Sequence, residues 1–305
     1  MSLFRGIIPP LVTPLLGPNE LDDQGFRRLI DHVIRGGVHG IFVLGTTGEG
    51  PSLSLELQQR TISVATQHAA GRVPVLVGVT HPSYFETMSL ASHAEECGAS
   101  AVVLAAPYYF PADQDELLDY LQTIVPELPL PVMLYNMPAM TKLVYEPRIV
   151  REMLAEPNCV GLKDSSGDIQ YFRRVIEIAK DRPDFTVLIG PEHLLVEAIS
   201  MGGHGGVNGG ANIFPELFVS LYEAARQGTS TELLEERLTR LGRIYTIGSN
   251  PASSVVKAIK CAVSICGICN DRMAQPFKAF TAPERAQVER ILARMQLHRS
   301  TTVEQ

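Results

Sequence analysis

Eight short runs of apolar, β-favouring residues recur along the chain, and each is followed by an amphipathic stretch: GIIPPLV, GIFVLG, VPVLVGV, AVVLAAP, PVMLYN, VGLKD, TVLIG and GGVNGG. Strands that alternate with helices pair in parallel. VPVLVGV and AVVLAAP are apolar throughout instead of alternating, the pattern of parallel strands buried on both faces. Their C-terminal ends keep a regular beat, since Pro107 to Tyr135 and Tyr135 to Lys163 are both 28 residues, enough for a loop, a helix and the next strand. Eight such units close into a (β/α)8 TIM barrel of roughly 250 residues, and an extension accounts for the rest of the 305-residue chain. An open doubly wound sheet is the competing arrangement. The strand count and the lack of a GxGxxG turn after the first strand argue against it.

Helix signals agree with the beat. Asp22 caps a helix expected over 23–36, Ser54 with Glu56 opens another, and Asp113 begins a stretch expected to end before Pro126. After the glycine-rich run near 202–210 comes a helix over 215–227, and then the strand pattern stops. Helices are expected near 230–246, 252–267 and 284–297, with Pro251, Pro276 and Pro283 as punctuation. The expected organisation is a catalytic barrel over 1–228 and a three-helix extension over 229–305 packed on it.

Composition excludes several classes of function. With 45% hydrophobic and 19% charged residues the chain reads as globular, not disordered. A net charge of −7 provides no basic footprint for nucleic acid. The opening MSLFRGIIPPLVTP meets two prolines too early for a leader's apolar segment and is too short to span a bilayer, so a cytoplasmic protein with no membrane partner is expected. Five cysteines, an odd number, favour reduced thiols. Cys266 and Cys269 have C-x-x-C spacing, but no second such pair closes a zinc site, and KAIKCAVSICGIC around Cys261 reads as a buried apolar helix.

In a barrel of this kind, reactive residues sit at the C-terminal ends of strands and in the loops that follow. The informative polar residues fall there: Gly45, Thr46, Thr47 and Glu49 in GTTGEG, Tyr108 and Tyr109 in PYYF, Tyr135 in YNMP, and Lys163 in GLKDSSGD. A lysine between Leu162 and Asp164 in an apolar strand is a poor surface charge. By the two-residue period Gly161, Lys163 and Ser165 share one face. Burial lowers an amine's pKa, and the neutral amine is the nucleophile of Schiff-base chemistry; the alternative is a lysine paired with an internal carboxylate. Tyr135 ends the preceding strand on the matching face, where a phenol could carry protons for that amine or simply pack. GTTGEG joins backbone freedom to two hydroxyls and free N–H groups suited to a carboxylate, or is merely a glycine-rich turn. Tyr108 and Tyr109 could equally be packing aromatics. The GGHGGVNGG run suggests close approach of backbone to ligand or a tight barrel closure.

GTTGEG, PYYF, YNMP and GLKDSSGD, in this order and spacing, resemble the dihydrodipicolinate synthase and N-acetylneuraminate lyase family over nearly the whole chain. The resemblance implies that Lys163 attacks C2 of pyruvate or a related 2-oxo acid and that Tyr135 relays protons. It also implies that Thr46 and Thr47 hold the carboxylate, with Thr46 joining Tyr135 in a hydroxyl relay to which Tyr109 is contributed across a subunit interface. Gly45, Gly190 and Val207 match pocket positions. The implied partners are pyruvate and an aldehyde, the implied assembly is a homotetramer built as a dimer of dimers, and neither metal nor organic cofactor is implied. Members that make dihydrodipicolinate commonly carry an arginine where this chain has Met140. Without that guanidinium a bidentate grip on aspartate semialdehyde is lost, and KDSSGD looks more like members acting on 2-keto-3-deoxy sugar acids or 4-hydroxy-2-oxo acids.

Two rival readings remain. A metal-dependent aldolase would need ligands gathered from the scattered His81, His193 and His204. A non-catalytic barrel that binds a 2-oxo acid would have little need of a proton relay.

Overall fold

The computed structural model describes residues 4–248 and 250–300. The last five residues of the expected extension lie outside the described residues.

Ten strands form in chain order: β1 (Gly6–Ile7), β2 (Leu15–Gly17), β3 (Glu20–Leu21), β4 (Ile41–Val43), β5 (Val75–Gly78), β6 (Ala101–Ala105), β7 (Val132–Asn136), β8 (Cys159–Asp164), β9 (Thr186–Ile189) and β10 (Gly205–Gly206). Eight of them make one parallel sheet in the order β1-β10-β9-β8-β7-β6-β5-β4, and these are the eight runs expected from the sequence. The remaining seam closes through a single parallel bridge, Pro10 to Phe42, with Leu11 N–H donating to the Phe42 carbonyl at 2.8 Å and Phe42 N–H to the Pro9 carbonyl at 3.0 Å. Pro9 and Pro10 have no N–H, so a longer ladder cannot form there. β2 and β3 form a small antiparallel hairpin that the strand–helix beat does not anticipate.

Two apolar clusters follow from the closure. One fills the barrel and includes Ile8, Phe42, Leu76, Met133, Leu188 and Val207. The other is the much larger layer between strands and surrounding helices. Because both faces of each strand are covered, alternate residues of β7 and β8 divide between these layers. Met133 and Tyr135 face the lumen, and their partners across the ladder are Gly161 and Lys163.

The helix caps are as expected at Asp22, Ser54 and Asp113, whose side chains accept from Gly25, Leu57, and both Asp115 and Glu116 N–H groups. The Gln114–Glu127 helix corrects one expectation, since it runs through Pro126. A proline in the last turn loses one backbone bond, and Leu128 N–H still reaches the Ile124 carbonyl at 3.1 Å. A second correction concerns KAIKCAVSICGIC. The helix Pro251–Ile265 buries Cys261 but ends before Cys266, which is exposed, because Gly267 adopts φ +71° and Ile268 N–H turns back to the Val263 carbonyl. The C-terminal region also contains helices Glu232–Gly242 and Ala282–Ser300. Among the described residues no helix is long and apolar enough to cross a membrane.

Candidate active site

Lys163 points into the lumen from the end of β8 and is 4% exposed. Its Nζ lies 3.9 Å from the centre of the Tyr135 ring and 5.0 Å from that of Phe42. Burial pulls the amine below the ordinary lysine range, while Tyr135 opposes the shift. Among the described residues Lys163 makes no ion pair with a carboxylate. The adjacent Asp164 faces the other way, where it accepts from Asn136 Nδ2 at 2.7 Å, Ser166 N–H at 3.1 Å and Ser166 Oγ at 3.0 Å. The alternative of a lysine held by an internal carboxylate is therefore not what the fold builds.

Tyr135 receives opposing influences. Burial raises its phenol, but the Lys163 charge and hydrogen bonding with Thr46, Ser165 and Lys163 outweigh burial and bring it below the usual value. Its hydroxyl lies 3.3 Å from Thr46 Oγ1. The result is a buried amine, a phenol and two hydroxyls within reach of one another, the groups needed to form a carbinolamine and move its protons.

The loop after β4 that supplies Thr46 is wound tightly. Leu44 and Glu49 adopt φ +61° and +58°, a conformation costly for residues with a side chain. The close winding demands glycine at two points. A Cβ on Gly50 would lie 2.1 Å from the Leu44 carbonyl oxygen, and one on Gly45 would meet the Phe42 ring at 2.5 Å. Glu49 is buried and ion-paired with Lys260 of the Pro251–Ile265 helix, and its other oxygen accepts from Ala274 N–H at 2.8 Å. Thus the loop is tied to the C-terminal region by a charge pair that no local pattern around GTTGEG reveals.

Gly45, Thr46, Tyr135, Tyr108 and Met140 line a cavity of about 320 Å³; Lys163 is not among the lining side chains but lies directly behind two of them, Tyr135 and Phe42. Val207 is buried in the lumen cluster with Tyr135 and Phe42. Gly190 sits beside Ser165, with its N–H on the Asp164 carbonyl at 2.7 Å; a Cβ there would fall 2.0 Å from Ser165 Oγ. Thr47 is half-buried and is not among the side chains that line the cavity. Tyr109 does not join Thr46 and Tyr135 within one chain: it is 85% exposed, holds φ +87° and stacks edge-on against the equally outward Phe110. The three histidines of the metal reading are not brought together. His204 accepts from Val187 N–H at 3.0 Å near the starts of β9 and β10, His193 is exposed, and His81 caps Ser83 N–H in the loop after β5.

A model of the dihydrodipicolinate synthetase family matches residues 3–295. The chain belongs to that family. Family members are class I, pyruvate-dependent lyases, and this chain is an enzyme of that class. A dihydrodipicolinate synthase structure from Bacteroides thetaiotaomicron is 46% identical, with TM-score 0.93, covering 96% of this chain and 99% of that one. YagE of Escherichia coli K12, a prophage protein of the dihydrodipicolinic acid synthase family solved with pyruvate, is 32% identical, with TM-score 0.91 over 97% of this chain and 100% of that one. A 4-hydroxy-tetrahydrodipicolinate synthase of Methanospirillum hungatei is 32% identical over 96% of this chain and 99% of its own length.

Within this family site, sequence reasoning missed the ends of the cavity that come from far away. Ser253, Val256, Met273 and Phe277 of the C-terminal region complete its wall. The signal available for Lys260 was the same as for Lys163, a lysine inside an apolar run, AIKCAV. No local pattern marks Glu192. It is held by Gly210 N–H at 2.5 Å and by Tyr245 Oη at 3.1 Å, and burial pushes its carboxyl up to about 7.

Proposed function

We propose that this enzyme cleaves, or in reverse condenses, 2-keto-3-deoxy sugar acids or 4-hydroxy-2-oxo acids through a Schiff base on Lys163. The neutral amine attacks C2 of the 2-oxo acid. The carbinolamine loses its hydroxyl as water, leaving the imine. Removal of the proton from the 4-hydroxyl breaks the C3–C4 bond, releasing an aldehyde and leaving an enamine. The enamine takes a proton at C3, and water then frees pyruvate and the amine. Tyr135 carries protons in these steps, in series with Thr46. Thr46 and Thr47, with the Gly45 backbone, hold the carboxylate, while Gly190 and Val207 bound the pyruvyl end. The carrying observation is the placement of the Lys163 amine against Tyr135, with the Thr46 hydroxyl beyond it.

Tyr109 completes the relay from a neighbouring subunit, which agrees with its exposed, backbone-strained position beside exposed Phe110. The reading includes a cytoplasmic homotetramer, built from a 1–228 barrel with a 229–305 extension that closes one wall of the site. A second reading, condensation of pyruvate with aspartate semialdehyde, is favoured by the names of the Bacteroides and Methanospirillum relatives. Met140 in the cavity wall, in place of a guanidinium, supports the first. Membership of a family of pyruvate-dependent lyases argues against the remaining alternative, a non-catalytic 2-oxo-acid binder.

Borohydride reduction in the presence of pyruvate should add a pyruvate-derived mass at Lys163 and abolish activity. An unmodified Lys163 refutes the Schiff-base reading. A substrate panel including aspartate semialdehyde separates the two reactions.

A further inference from the structure

The C-terminal region and the two methionines after β7 present a stretch of cavity wall that is apolar apart from one hydroxyl. Val256 from the Pro251–Ile265 helix, Met273 and Phe277 from the segment after it, and Met137 and Met140 beyond β7 present carbon and sulfur. Ser253, in the first turn of that helix, also lines the cavity and is 4% exposed, yet its Oγ has no protein hydrogen-bond partner among the described residues. The neighbouring Ser254 shows the ordinary outcome for a serine in a helix, its Oγ donating to the Asn250 carbonyl at 2.7 Å. Buried polar groups elsewhere in the cavity lining are already engaged. Thr141 Oγ1 donates to the Met137 and Leu143 carbonyls, Thr80 Oγ1 accepts from Ala105 N–H, and Glu49 is taken by Lys260 and Ala274 N–H. A buried hydroxyl left unpaired is costly, and such groups mark places where a ligand completes the bonding.

We propose that Ser253 is a specificity-determining residue whose hydroxyl hydrogen-bonds an uncharged oxygen, a hydroxyl, on the aldehyde-derived half of the substrate. Among the described residues the side chains lining the cavity include no arginine, lysine or histidine, the Lys163 amine lying behind Tyr135 and Phe42, and the one lining carboxylate is neutralised by Lys260. A second carboxylate on the substrate would be desolvated against methionine and phenylalanine without a counter-charge. A hydroxylated chain meets the available chemistry: apolar C–H faces against the wall and one polar contact. This inference rests on the Schiff-base lyase reading.

The test compares wild type, Ser253→Ala and Ser253→Thr on a 2-keto-3-deoxyhexonate and on 4-hydroxy-2-oxopentanoate, whose aldehyde half carries no hydroxyl, with borohydride trapping of pyruvate alongside. Loss of one neutral hydrogen bond corresponds to roughly a 2- to 12-fold fall in kcat/KM. Ser253→Ala should show that fall on the hexonate only, with pyruvate trapping and melting temperature unchanged, and Ser253→Thr should recover the hexonate activity. An equal loss on both substrates, no loss on either, or a lowered melting temperature overturns the proposal. A wild type that traps pyruvate at Lys163 but does not cleave the hexonate overturns this inference alone. One that traps no pyruvate overturns the lyase reading with it.

Discussion

Replacing Lys260 by methionine should destabilise the protein severely and damage a loop that is remote in sequence. Lys260 is 0% exposed, and its amine donates to Glu49 and, at 2.5 Å, to the Arg272 carbonyl. Burial lowers its pKa, and Glu49 is the chief influence raising it again. Methionine fills nearly the same volume, so packing is largely kept while the charge and its hydrogen bonds to Glu49 and the Arg272 carbonyl are lost. The Glu49 carboxylate then stays buried with only Ala274 N–H to satisfy it. Removing one member of a buried pair costs about 3–5 kcal/mol, whereas removing both is often near neutral. At roughly 2 °C per kcal/mol for a chain of this size, the melting temperature should drop by about 6–10 °C. The pair also secures Glu49 in its left-handed conformation, so Thr46 should lose its register with Tyr135 and pyruvate trapping should slow. Urea unfolding and trapping rates of Lys260→Met, Glu49→Gln and the double variant form a complete cycle. The double variant should be more stable than Lys260→Met alone. A loss below about 1 kcal/mol in Lys260→Met, or strictly additive losses in the double variant, would refute the argument.

Three further outcomes follow from the site. Tyr135→Phe should cut turnover by about 10²- to 10⁴-fold; because Tyr135 raises the Lys163 pKa against burial, its loss should move the acid limb of pyruvate trapping to lower pH, and a shift upward would contradict this. Met140→Arg places a guanidinium at a partly exposed cavity position, 41% accessible, and should raise condensation with aspartate semialdehyde about tenfold or more, measured as kcat/KM. Glu192 has its folded-state pKa raised from 4.5 to about 7, so its contribution to stability is full below pH 4.5 and is lost as pH rises through 7. Glu192→Gln should therefore flatten the fall in stability between pH 5 and 8, by up to roughly 3 kcal/mol, and an unchanged slope in denaturant titrations would refute the assignment.

Much of the barrel was legible because its signals are local. A parallel strand buried on both faces has to be apolar along its length, and each helix start needs a side chain to satisfy its free N–H groups, so all eight barrel strands and the caps at Asp22, Ser54 and Asp113 could be read from short windows. Two-residue parity likewise placed Lys163 and Tyr135 on the lumen side, since the ladder pairs them directly. Local signals mislead where two rules compete. Pro126 stays helical in a last turn, and the apolar helix before Cys266 stops at a glycine that can take positive φ.

By itself, then, the chain's periodicity determined the strand–helix beat and the face on which Lys163 lies, and the family resemblance singled out Met140 as the place where an arginine is missing. Tertiary structure decided what those groups meet. Thr46 reaches Tyr135 across 89 residues, Lys260 neutralises Glu49 across 211, and Ser253 arrives at the cavity with its hydroxyl unspent. The physical reason is that covalent periodicity sets only the direction of a side chain. Its pKa, its hydrogen-bond partners and its desolvation depend on neighbours that barrel closure and the C-terminal helices deliver from elsewhere in the chain.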